Sequence, residues 1–140
     1  MEIKTKLTNI ETGLIIYLSN SLFPVDEHNW SKIASNVTYT LNGGMIIQQN
    51  EKKSGQPYTL KSTPSSGWVT LNTVNKLKLE RDKLAAKFWL DYLGNGGIER
   101  VKVIFDTTKE DAINAIPVED SVSPELDDKY LITLKFIEVE

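Results

Sequence analysis

Apolar and polar positions alternate with a period of two over much of the chain, the spacing that places every second side chain on one side of a strand. Leu14, Ile16 and Leu18 alternate with Ile15 and Tyr17. Val37, Tyr39 and Leu41 alternate with Thr38 and Thr40, then Asn42-Gly43-Gly44 leads into Met45-Ile46-Ile47-Gln48-Gln49. This predicts a hairpin, because Asn and Gly accept the positive φ of a tight turn. A second hairpin is predicted where Phe88, Leu90 and Tyr92 share a face, Gly94-Asn95-Gly96-Gly97 interrupts, and Val101, Val103 and Phe105 resume the alternation. The chain closes on a long strand with Tyr130, Ile132, Leu134 and Phe136 on one face. Leu131 and Ile137 make its other face partly apolar, as expected of a strand central in its sheet or covered on both sides.

The period changes once. Val74, Leu77, Arg81 and Leu84 form a stripe at helical spacing, with Asn72 or Thr73 placed to cap the first turn. Lys76 with Glu80, and Lys78 with Asp82, are i,i+4 pairs that read as a solvated helix face. Thr107 and Glu110 have capping-box spacing for a shorter helix. From Ile116 to Lys129 the chain combines Pro117 and Pro124 with Glu119, Asp120, Glu125, Asp127 and Asp128, and is expected to be an exposed loop. No internal repeat or low-complexity segment appears. The pattern predicts one domain over residues 1–140: mainly β, α+β, an antiparallel β-sandwich or split barrel with one principal helix.

Composition narrows the chemistry. The 140 residues carry a net charge of −3 and no cysteine, which excludes disulfides, thiol catalysis and cysteine-ligated metals. The charge balance offers no general attraction for nucleic acid or acidic membranes. Neither a secretory h-region nor an apolar run of membrane-spanning length is visible, so cytoplasmic synthesis is expected. His28, beside Asp26 and Glu27, is the only histidine and has no second nitrogen or thiolate with which to build a transition-metal site. The loop carboxylates show no pattern that would hold two of them across a cleft. Gly43-Gly44 and the Gly94–Gly97 run lack the strand-to-helix setting and the Lys-Ser/Thr of a phosphate loop. No enzyme activity and no cofactor is expected.

Aromatic placement points elsewhere. Trp68 leads into the helix and is expected in the core. Trp89 lies on the strand face opposite Phe88, Leu90 and Tyr92, so it is expected to be exposed or covered by a partner. Trp89, the Lys52-Lys53 turn and the acidic residues Glu119, Asp120, Asp127 and Asp128 are the candidate contact residues.

The segment Gln49 to Leu60, with Ser54-Gly55-Gln56-Pro57-Tyr58-Thr59-Leu60 at its end, is similar to a "(Q)-x-(A/S)-G-R-P-I-T-L" signature of small tail proteins of tailed phages and prophages. Gln56 stands in place of the arginine and Tyr58 in place of the isoleucine. Gly67-Trp68-Val69-Thr70 resembles the "G-W-(I/V)-T" that follows. Leu134-Lys135-Phe136-Ile137-Glu138-Val139 resembles the closing "L-(K/R)-F-M-E-V". The resemblance spans nearly the whole chain. It implies a tail-tube-like or distal-tail-like fold. It also implies a structural role in the virion tail or baseplate, assembled in the host cytoplasm. The subunit would sit in a ring of copies, six by analogy, against tail-tube, hub or baseplate proteins. Two other readings stay open: a tail-associated peptidoglycan-degrading hub enzyme, marked by convergent carboxylates in a cleft, and a small carbohydrate- or receptor-binding β module, marked by a platform of aromatics such as Trp30 and Trp89.

Overall fold

The closing strand organises the molecule. In the computed structural model, which describes residues 5–25, 30–52, 55–94, 97–108, 111–119 and 125–139, the elements follow in order. They are β1 (Lys6–Asn9), β2 (Ile15–Tyr17), β3 (Phe23–Pro24), β4 (Ile33–Tyr39), β5 (Met45–Glu51), β6 (Pro57–Lys61), β7 (Val69–Thr70), α1 (Leu71–Arg81), β8 (Phe88–Gly94), β9 (Gly97–Phe105), β10 (Ile113–Pro117) and β11 (Lys129–Glu138). β11 pairs antiparallel with β6, β7, β9 and β10. It is therefore central, as its two apolar faces predicted. The sheet runs β2-β1-β8-β9-β11-β6-β3. Residues 18–22 alone join β2 to β3, the two ends of that order. So short a tether requires the sheet to curl, which gives the half-barrel form of an antiparallel α+β fold.

The concave face is the core. Phe88, Leu90, Tyr92, Val103, Phe105, Ile132, Leu134 and Phe136 are buried there, as the alternation predicted. The rings of Phe88, Phe105 and Phe136 pack in series, with centroids 5.4 and 4.9 Å apart. Helix α1 contributes Val74 and Leu77.

The helix differs from its sequence pattern at both ends. Its N-cap is Thr70, not Asn72 or Thr73. Thr70 Oγ1 accepts from Thr73 N, while Leu71 N and Asn72 N donate to the carbonyls of Asp128 and Leu126. A distant loop thus satisfies N–H groups that local sequence could not assign. At the other end the helix stops at Arg81, and Ala85 takes a left-handed φ of 55°. Leu84 therefore falls off the stripe and is almost fully exposed. Glu80, expected on a solvated face, is buried instead.

Other expectations are corrected nearby. Thr107 and Thr108 form a turn rather than a helix start, with Thr108 Oγ1 hydrogen-bonded to Asp106, and the chain is extended again by Ile113. Lys109 and Glu110 lie outside the described residues. The loop expected from Ile116 begins later, because Ile116 and Pro117 finish β10 against Leu131 and Tyr130. Trp68 is half-buried rather than core, and its Nε1 donates to the Thr63 carbonyl.

Candidate assembly surfaces

β4 and β5 form the expected hairpin, but among the described residues no strand of the main sheet receives it. There the two strands pair only with each other, in a register running from Ile33↔Glu51 to Tyr39↔Met45. The tip is closed by Thr40 N donating to the Gly44 carbonyl at 2.7 Å, with Gly43 at a φ of 83°. Every residue from Ser31 to Glu51 is exposed. Directly paired residues share a face, so Val37 and Ile47, and Tyr39 and Met45, make one apolar side near the tip. Leu41 stands fully exposed in the turn.

This ribbon departs from how exposed strands are normally protected. Edges are usually blunted by charge, proline or cover. Residues 33–50 contain no charged residue and no proline. A lone two-stranded ribbon is also marginal in water by itself. Its root is clamped by ions: Lys32 Nζ lies 2.6 Å from Glu51 Oε1, and Lys52 sits 5.2 Å from the Trp30 ring centroid. The hydrogen bond and charge of Lys32 hold the Glu51 carboxyl below its ordinary range, and the same contact raises Lys32. The pair's contribution is therefore present above the ordinary carboxylate pKa and is lost as pH falls through Glu51's lowered value. On the alkaline side it is lost as pH rises through the raised value of Lys32. Both groups are solvent-exposed, so the pair is a weak clamp.

Trp89 occupies the second surface. It faces outward on β8, half-buried, paired with Thr8 on one side and Lys102 on the other. Arg100 and Lys102 lie 5.7 and 5.5 Å from its ring centroid. Arg100 is fixed by a two-point contact with Asp91, at 2.7 and 3.0 Å. That contact raises the Arg100 pKa, chiefly through the hydrogen bond.

The acidic candidates form a third surface beside the start of α1. Glu119, Glu125 and Asp127 are exposed. Asp128 Oδ2 accepts from Glu125 N, so this carboxylate shapes the loop. Lys52 belongs to the ribbon root, so the structure does not unite it with Trp89 or with the acidic loop as one site. Lys53 and Asp120 lie outside the described residues, as do Asp26, Glu27 and His28.

Two hollows bear on enzymatic and sugar-binding readings. One, at the C-terminal end of α1, is lined by Glu80 and Asp82 together with Leu84, Phe88 and Phe105. Glu80 accepts from Asn9 Nδ2 at 2.8 Å and from Lys83 Nζ at 2.9 Å, and Asp82 pairs with Arg81. Both carboxylates are thus engaged by neighbours. The other hollow is lined by Tyr17, Asn20, Trp68, Thr73 and Lys129, with no carboxylate among its described lining residues. Trp30 and Trp89 each have cations near the ring rather than a bare aromatic face. Among the described residues no three His, Asp or Glu side chains gather as a metal site, and no helix is long and apolar enough to cross a membrane.

The exposed ribbon was the feature least expected from periodicity, since alternation reads the same in a paired and an unpaired hairpin. The signal that could have found it is the uncharged run of residues 33–50. No protein-family model, curated protein or solved structure matches the chain.

Proposed function

We propose that this chain is a structural subunit of a phage-type tail or baseplate, acting as a ring of copies that joins the tail tube to the hub or baseplate. The observation that carries this reading is the exposed β4–β5 ribbon, uncharged from residue 33 to residue 50. Such a surface is costly alone and gains stability only by being buried against protein. Its two edges differ, one offered by β4 and the other by β5. Pairing one edge with the other on the next copy is a heterologous contact, which closes into a ring when the rotation between copies allows. The tail-protein resemblance of the flanking segments supplies the setting and the expected sixfold symmetry. The subunit's work is then geometric: it continues or seals a tube and holds neighbouring parts in register.

The test places charge on the ribbon. Val37→Asp with Ile47→Asp puts two like charges directly opposite each other on the apolar face. The body of the fold is expected to persist, with an unchanged near-ultraviolet circular dichroism signal from the buried aromatics. Incorporation into assembled tails is expected to fall by about tenfold or more, the scale of a lost interface anchor. Unchanged incorporation contradicts the ribbon's role.

A further inference from the structure

We infer that the outward face of β1, β8 and β9, centred on Trp89, docks the acidic β10–β11 loop of a second copy of this chain. The inference rests on the reading of the chain as a self-assembling subunit and names the surfaces that meet. The face is cationic. Leu7, Leu90 and Val103 point into the core, so Lys6, Trp89 and Lys102 point outward, and Lys87 precedes Trp89 on the same side. Asp91, the acid on this face, is already bound by Arg100. Lys6, Lys87 and Lys102 make no ion pair among the described residues. A tryptophan flanked by Arg100 and Lys102, with Lys6 and Lys87 on the same face, is the composition of an interface centre that receives anions.

The matching anion is on the same chain, and out of its own reach. Glu119, Glu125 and Asp127 are exposed and likewise make no ion pair among the described residues. Its Glu125–Asp128 part is held in place, because Leu71 N and Asn72 N donate to the Asp128 and Leu126 carbonyls and Glu125 N to the Asp128 carboxylate. Residues fixed in this way dock with little ordering cost. The two surfaces sit at opposite ends of β11. Val118 N donates to the carbonyl of Lys129 at one end, and Val139 N to that of Lys102 at the other. Ten strand residues separate them, roughly 33 Å at the usual rise. Glu119, Glu125 and Asp127, beside the first end of β11, do not reach the face at the other, so a neighbour must supply such carboxylates. Different patches on successive copies again make the contact heterologous, the kind that propagates around a ring.

The experiment uses the purified full chain. Self-association is measured by sedimentation velocity, and contacts by zero-length carbodiimide cross-linking with mass spectrometry. Lys87→Glu with Lys102→Glu, and separately Glu125→Lys with Asp127→Lys, are each expected to weaken association by about tenfold or more. Combining the two reversed sets is expected to restore it. Cross-links from Lys87 or Lys102 to loop carboxylates are expected between copies. Raising ionic strength from about 0.1 M to 1 M, where the Debye length falls from about 10 to about 3 Å, is expected to weaken association. The inference is overturned if the reversed sets leave association unchanged while the ribbon substitutions disrupt it; that outcome spares the structural reading. A chain that stays monomeric without cross-links also overturns it, and particle reconstruction then decides the structural reading separately. Tight binding of a single-stranded oligonucleotide with quenching of Trp89, in place of self-association, assigns the face to nucleic acid and overturns it too.

Discussion

Leu77→Ala is expected to destabilise the fold by about 2–5 kcal/mol, and Leu84→Ala by no more than about 0.5 kcal/mol. The two leucines occupy one stripe in the sequence, yet only Leu77 is buried, without measurable exposure, where α1 packs under the curled sheet. Truncating it removes apolar contacts and leaves a cavity that close-packed neighbours fill poorly. Leu84 lies past the helix end and has little burial to lose. Urea denaturation of both variants against the parent chain checks this. Equal midpoints for the two variants would contradict the packing of the helix.

Asn9→Ala is expected to cost about 2–4 kcal/mol, a large effect for removing one polar side chain. Asn9 is buried and works in two directions. Its Nδ2 donates to the buried carboxylate of Glu80, and its Oδ1 accepts from Glu11 N and Thr12 N in the turn after β1. Alanine leaves the carboxylate with Lys83 as its remaining ion-pair partner and strips that turn of its acceptor. Asn9→Asp should be at least as harmful, because it sets a second carboxylate against the first. Thermal melts of Asn9→Ala and Asn9→Asp provide the check. A loss below about 0.5 kcal/mol for both would show that the Asn9–Glu80 contact contributes little.

Residues whose partners are local in the chain are legible in the sequence, and residues whose partners are distant are not. The β8–β9 hairpin and the central β11 were legible because strict alternation, glycine turns and β-branched or aromatic residues all agree. β1 was not legible: Lys6, Thr8 and Asn9 are polar, and Leu7 alone marks its inward face. Glu80 reads as solvated in sequence because its burial depends on Asn9, far away in the chain. The helix start is not legible locally because loop carbonyls, not a local cap alone, satisfy its N–H groups. Alternation places Trp89 on the outward side, but its flanking cations come from β9 and emerge only from the pairing register. Alternation with an Asn-Gly-Gly turn marks the ribbon as a hairpin, whereas its isolation among the described residues depends on what fails to pair with it.

In the proposed role many copies of this chain act together around a tail axis. The most direct measurement is an electron cryomicroscopy reconstruction of the assembled tail, with this chain located in the density. The expected result is a closed ring, six copies by the resemblance to tail proteins, with each β4–β5 ribbon buried against a neighbouring copy. A tail in which the chain occurs once, or is absent, or in which the ribbons stand free in solvent, would contradict it.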